Sequence, residues 1–232
     1  MASVSQASSV GSQVRSHGFA VVDSVLDAGT VAYFGRLVDD ARSKSRSAEA
    51  VTNSSGTYGL RNLTDVIPEV ADLVRHPQVC RLVTDIAGDG AFMVRATLFD
   101  KTPGANWGVF WHQDLSIAVA SRHDVAGFTS WTRKAGVDCT QPPVAIMEQL
   151  LAVRLHLDDC TARNGALRVL PGTHLLQRLS QGQSDAEQAA RTEIVCEVPA
   201  GGAVLMRPLL LHASSPMEVP ASRRVIHFEF AA

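Results

Sequence analysis

His112 and Asp114 stand two positions apart in FWHQDLSI, residues 110–117, between a bulky aromatic pair and an apolar run that reads as a strand. In a strand, residues i and i+2 face the same way, so one imidazole nitrogen and one carboxylate oxygen can reach a single ion while Gln113 points to the other side. The bare His-x-Asp tripeptide recurs by chance, and its plain structural reading is a turn in which the aspartate accepts a local hydrogen bond. A second histidine strengthens the chemical reading. His212 ends the apolar run VLMRPLLLH, and Arg223 heads another run, RRVIHFEF, eleven positions later. Two histidines and one carboxylate on a β scaffold form the facial triad of non-haem iron(II) oxygenases, with positions on the metal left open. The same set suits zinc, so a zinc hydrolase or isomerase on this scaffold stays open, as does a silent binding module. Arg223 argues for the oxygenase, because a guanidinium on an adjacent strand can pair with the far carboxylate of a dicarboxylate co-substrate in two parallel hydrogen bonds.

The elements that must position these residues fall into two halves. A weakly helical stretch from Val4 to Arg15 precedes GFAVVDSVL, residues 18–26, whose β-branched residues predict a first strand. Asp27 is placed to cap a helix whose stripe of Val31, Phe34, Val38 and Ala41 can lie on a sheet. Residues 41–56, rich in serine, read as an exposed loop, and short helices are expected from Pro68 and from Pro77 to Gly88. After Gly90 the chain turns to short β-rich runs: AFMVRATLFDKT, QLLAVRLHLDD, GALRVLPG, TEIVCEV, GGAVLMRPLLLHAS and RRVIHFEF. Many short strands with turn signals predict a sandwich or barrel, so the expectation is an α+β fold with a jelly-roll core buttressed on one face by N-terminal helices. Asn164 and Gly165 suit a tight hairpin turn, Pro171 and Gly172 end a strand, and residues 126–143 read as a long irregular segment.

Composition narrows the partners. With 232 residues, 46% hydrophobic and 19% charged, the chain can bury one substantial core, so one domain over 1–232 is expected. A net charge of −2 without long runs of like charge gives no reason to expect nucleic acid or an anionic membrane surface, which leaves small molecules. Cys80, Cys139, Cys160 and Cys196 form no CxxC pair and sit in apolar contexts, which suits reduced thiols in a cytoplasmic, soluble monomer or homodimer. There is no signal-peptide pattern and no stretch near the roughly 18 apolar residues of a membrane span.

The ordered set WHQD at 111–114, NGALRVLPGTH at 164–174, LLLHAS at 209–214 and Arg223 resembles the phytanoyl-CoA dioxygenase family of iron(II)- and 2-oxoglutarate-dependent oxygenases. The likeness runs from GFAVVDSVLD near the start to IHFEF near the end. It implies a double-stranded β-helix of cupin-like type, iron(II), 2-oxoglutarate and dioxygen. It also implies that His112, Asp114 and His212 ligate iron, that Arg223 and Ser214 hold the distal carboxylate of 2-oxoglutarate, and that Gln113 and Lys101 are further contacts. Related halogenases carry a small residue in place of Asp114, so the resemblance implies hydroxylation of an unactivated C–H bond, with desaturation or ring closure open.

Other residues compete for roles. His156 and His227 read as hydrogen-bonded core histidines, and His174 as a pocket or turn residue. Trp107, Phe110, Trp111, Phe128 and Trp131 suggest an apolar substrate wall or lid, of which Trp111 and Trp131 are the chosen candidates. Arg61, Arg133, Lys134 and Arg154 are candidate anion contacts, Arg61 and Arg154 foremost. The sequence selects no particular substrate.

Overall fold

The strands after Gly90 form most of the two larger sheets, and the helices before it pack against one of them. The structure, a computed structural model, describes residues 3–44, 50–53, 56–219 and 221–232. Helix α1 (Ser3–His17) leads into β1 (Phe19–Val22) and α2 (Ala28–Lys44). Asp27 starts α2 as expected: its Oδ1 accepts from the Thr30 backbone N–H at 2.9 Å, satisfying a donor that the helix itself cannot. A hairpin of β2 (Ala50–Asn53) and β3 (Gly56–Leu60) is followed by the short helices α3 (Leu63–Val66) and α4 (Val70–Val74), then by α5 (Pro77–Ala87). The loop expected over 41–56 is therefore corrected, since α2 runs on to Lys44 and β2 and β3 pair; residues 45–49 and 54–55 of that expectation lie outside the described residues.

The β-rich half contains β4 (Phe92–Lys101), β5 (Val109–His112), β6 (Ile117–Val119), β7 (Thr129–Lys134), β8 (Val137–Gln141), α6 (Val144–Met147) and β9 (Leu151–His156). It continues through β10 (Leu167–Val169), α7 (Gln181–Ala190), β11 (Ile194–Cys196), β12 (Ala203–Met206), β13 (His212–Ser214) and β14 (Arg223–Ala231). The segment expected to be irregular over 126–143 is largely the β7–β8 hairpin. Helix α7 was not foreseen, because it has no apolar stripe; reciprocal bonds between Ser180 and Gln183 close its first turn instead. Asn164 makes no hairpin. It ends a short 3-10 turn (Ala162–Asn164), where its side chain accepts from the Thr161 N–H and donates to the Asp159 carbonyl.

All paired strands are antiparallel. Seven form one sheet in the order β1-β12-β9-β14-β4-β3-β2, four form a second in the order β11-β10-β13-β5, and β6-β8-β7 make a third. The two larger sheets face each other as a double-stranded β-helix, the expected α+β jelly roll. Period-two alternation gives the seven-stranded sheet two characters. Leu151, Val153 and Leu155 of β9 and Ile226, Phe228 and Phe230 of β14 pack outward in one apolar cluster with Val14 of α1, Phe34 and Val38 of α2, and Val79 and Val83 of α5. Each such side chain contributes roughly 1.5–3 kcal/mol when fully buried. A second cluster, including Leu167, Val169, Val204 and Met206, fills the space between the sheets beside β10 and β12. The cavity lies where β4 and β14 face β5 and β13. Among the described residues no helix is long and apolar enough to cross a membrane. All four cysteines are free, and Cys80, expected in an apolar context, is exposed.

Candidate metal centre and co-substrate pocket

His212 and His112 are direct cross-strand partners in the β13–β5 pair, so their rings stand side by side on the inner face with centroids 4.2 Å apart. Strand β5 ends at His112; Asp114 follows in extended chain, tied down by its N–H to the Pro208 carbonyl at 2.9 Å. Its carboxylate lies 3.7 Å from His112 Nε2 and 3.6 Å from His212 Nε2. One donor atom from each of the three lies within 4.8 Å of the others, which can hold a metal ion.

Both rings have a determined tautomer. Each Nδ1 sits 2.8 Å from a backbone carbonyl two residues earlier, Phe110 O for His112 and Leu210 O for His212. A carbonyl only accepts, so each Nδ1 carries a proton and each Nε2 is turned toward Asp114 and the shared focus. Burial pushes the His212 imidazole down to about 4 against the pull of Asp114, which keeps it an unprotonated donor at neutral pH. Burial acts upward on Asp114, but His212 and His112 together hold its carboxyl below the ordinary value.

One end of the cavity is lined by Arg223 and Ser214, with Lys101 bonded to that serine. Arg223 and Lys101 are cross-strand partners of β14 and β4, at 1% and 0% exposure, a like-charge pairing that costs stability in an apolar interior. Lys101 Nζ donates to Ser214 Oγ at 3.2 Å and to the Ser215 carbonyl at 2.5 Å, and lies 5.0 Å from the Trp107 ring centroid. Arg223 donates through Nη1 to the Gly165 carbonyl, while its Nε has no oxygen or nitrogen partner among the described residues. Burial, then Arg223, pushes the lysine down to about 7. Gly165, at φ +82°, lets the chains approach here: a Cβ there would lie 2.5 Å from the Ser215 carbonyl and 2.7 Å from Lys101 Nζ. NGALRVLPGTH thus serves the pocket through its glycine as well as through its turns.

The cavity, about 280 Å³, is lined by Arg223 and Ser214, by the three metal-binding candidates, and by Tyr58, Arg61 and Lys134 among others. Its volume is at the lower end for small-molecule sites. Arg61, Lys134 and Arg154 line it, whereas Arg133 turns to the Gly136 carbonyl. Three expectations are corrected. Gln113 spends its amide on backbone, donating to Gln177 O and Leu209 O and accepting from Leu179 N, so it faces away from the cavity as strand alternation requires. Trp111 and Trp131 do not line the pocket; they lie under the Arg168 and Arg122 guanidiniums at 5.3 and 5.4 Å, and Phe110 is 94% exposed. The aromatic wall is Tyr58, Phe99 and Trp107, of which only Trp107 was singled out.

Two histidines also behave differently from expectation. His227 faces the cavity, with Nδ1 3.1 Å from Arg154 Nη1, and His156 is buried with neither nitrogen partnered. His174 holds the turn, its Nε2 3.1 Å from the Arg15 carbonyl of α1. Arg95 and Glu229, paired at 2.5 and 3.0 Å, complete the inner face and were also missed. The period-two reading of RRVIHFEF that puts Phe228 outward puts Arg223, His227 and Glu229 inward, and that signal was available. Arg224 points out to Asp158 and Asp39, which sets it apart from the pocket.

A jelly roll whose inner face gathers two histidines, a carboxylate and a buried cationic end defines an iron- and 2-oxoglutarate-dependent oxygenase. The chain belongs to the phytanoyl-CoA dioxygenase family, whose model it matches over residues 14–225. Among solved structures it is similar to AviO1 from Streptomyces viridochromogenes, at 21% identity and TM-score 0.72, over 97% of this chain and 94% of that one. It is similar also to the epimerase SnoN from nogalamycin biosynthesis in complex with Fe3+, alpha ketoglutarate and nogalamycin RO (16% identity, TM-score 0.75, 98% of this chain and 84% of that one). EctD from S. alaskensis with 2-oxoglutarate and 5-hydroxyectoine matches at 16% identity and TM-score 0.75, over 99% and 76% of the two chains. At these identities the structural likeness speaks to the fold. No curated protein sequence matches the chain.

Proposed function

We propose that the protein hydroxylates an unactivated C–H bond of a small organic substrate, with His112, Asp114 and His212 as the iron ligands and Arg223, Ser214 and Lys101 as the anchor for the distal carboxylate of 2-oxoglutarate. The observation that carries this reading is the convergence of the two Nε2 atoms and the Asp114 carboxylate in one cavity with the buried Arg223, beside which Lys101 stands as its cross-strand partner. Bound iron supplies the oxidation of the substrate by dioxygen, coupled to conversion of 2-oxoglutarate to succinate and carbon dioxide. The chain supplies the rest. The two imidazoles are held in the ligating tautomer by Phe110 and Leu210, and Asp114 fills the third protein position with a carboxylate, which favours hydroxylation over halide transfer. Arg223 and Lys101 fix one end of the co-substrate, so its other end is aimed at the metal rather than left to rotate. Tyr58, Phe99 and Trp107 wall the cavity and keep water from the reacting carbon.

Anaerobic addition of iron(II) and 2-oxoglutarate tests the assignment: a weak visible charge-transfer band is expected in the wild type and is lost in His112→Ala. Retention of zinc with no such band would favour a hydrolase. The reaction type is decided by product mass, expected to increase by one oxygen atom; an unchanged mass or the loss of two hydrogens would replace hydroxylation by epimerisation, desaturation or ring closure.

A further inference from the structure

The cavity contains more positive charge than metal and co-substrate can account for. Five cations line it, Arg61, Arg95, Lys134, Arg154 and Arg223, against two carboxylates, Asp114 and Glu229. Glu229 is spent on Arg95 through the bidentate pair, and Asp114 belongs with the two metal-binding histidines. Iron(II) and the 2-oxoglutarate dianion cancel each other, and on the reading above the dianion's far end is held by Arg223 together with Lys101, which stands next to the lining. Arg154, Arg61 and Lys134 are left over.

Arg154 is the informative one. It is 8% exposed, its Nε has no partner, and no carboxylate of the described residues lies within ion-pair distance. Its hydrogen bond goes to His227 Nδ1, which accepts because a guanidinium only donates, and the ring's Nε2 lies 3.6 Å from Glu229. The Phe99 ring, 5.4 Å from the guanidinium carbon, offsets a fraction of the charge. A buried cation without a counter-ion costs several kcal/mol, so a chain that keeps one beside its reaction centre leaves the counter-charge to a ligand. Arg61, half-buried, and Lys134, exposed, stand on the open part of the lining, and their side chains make no hydrogen bond or ion pair to any described residue. Their two segments are braced together by Asn62 Nδ2 donating to the Ala135 carbonyl at 2.9 Å.

We propose that the substrate carries an oxyanion, a carboxylate or a phosphate, which enters past Arg61 and Lys134 and is received by Arg154. The proposal rests on the co-substrate reading, because Arg223 must already be engaged for Arg154 to be the free cation. It excludes amines as substrates of this site and places neutral compounds at a disadvantage.

The test uses the protein loaded anaerobically with iron(II) and 2-oxoglutarate, its visible charge-transfer band followed as four probes with one six-carbon chain are added: hexanoate, hexyl phosphate, hexan-1-ol and hexylamine. The two anions are expected to perturb the band at concentrations about tenfold or more below the alcohol and the amine, the scale of one charge-assisted contact. The better of the two anions identifies the head group. Arg154→Met should erase the preference, Arg154→Lys should keep it in part, and the Arg61→Ala/Lys134→Ala pair should weaken it. If Arg154→Met does not fold, the lysine variant and the Arg61→Ala/Lys134→Ala pair decide. Equal responses to all four probes, including none at all, overturn the proposal. So does an Arg154→Met protein that loses affinity for 2-oxoglutarate while keeping the head-group preference, which would assign Arg154 to the co-substrate. A wild-type protein with no band before any probe is added sinks the co-substrate reading first, and this one with it.

Discussion

Along β14, Ile226, Phe228 and Phe230 face the helices while Arg223, His227 and Glu229, alternating with them, face the cavity. The same holds on β9, where Val153 and Leu155 pack outward and Arg154 and His156 turn in, and on β4, where Leu98 packs outward and Lys101 turns in. One face follows the rule that apolar side chains are buried with apolar neighbours. The other buries cations and a bare imidazole at a cost, and that cost marks where the chain was shaped for a ligand rather than for stability. The outward face carries the fold, and the inward face draws on it.

The sharpest way to break this division is a pair of substitutions. Phe228→Ala should cost roughly 3–5 kcal/mol, a fall in Tm on the order of 10 °C by calorimetry. His112→Ala should abolish succinate release and iron retention while moving the Tm of the metal-free protein by less than about 3 °C, since its side chain is 38% exposed. Similar thermal shifts in the two variants would dissolve the distinction. A finer comparison sets neighbouring arginines against each other. Arg223→Ala should weaken 2-oxoglutarate binding roughly 10- to 100-fold in isothermal titration, the loss of a charged contact. Arg224→Ala should leave that affinity intact and lower stability instead, because it breaks the link to Asp158 and Asp39.

The smallest effect is in the pH dependence. Lys101 has its proton affinity lowered to about 7 by burial and by Arg223. A dianion binds its charged form, so affinity for 2-oxoglutarate should fall as pH rises through about 7, and Lys101→Met should flatten that step. The accompanying sign in stability is opposite: between about pH 7 and the ordinary lysine range the unfolded chain binds the extra proton, so the ligand-free protein gains stability as pH rises.

What was legible in the sequence follows the same division. The long strands and the stripe of α2 could be read because apolar periodicity is what makes them fold, and His112, Asp114, His212 and Arg223 stood out by type and order. The β7–β8 hairpin and α7 carry few buried residues, so their patterns were faint. Trp111 and Trp131 lie off the pocket because alternation outranks proximity in sequence: Trp111 adjoins His112 on one strand and so faces the other way. His156 and His227 were taken for satisfied core residues because a sequence gives residue types but not partners. Only the register, which sets His227 beside Arg154 and Val225 beside His156, shows which cations surround them.

Gln113 sits between two metal-binding candidates yet reaches in the opposite direction, clasping the backbone at Gln177, Leu179 and Leu209. Its amide acts as a rivet through the wall of the barrel. The backbone between the two candidates is therefore held from behind, and an ion bound there would find its donors already spaced and lose little to reorganisation. A shorter amide at this position would loosen that spacing without touching a single ligating atom.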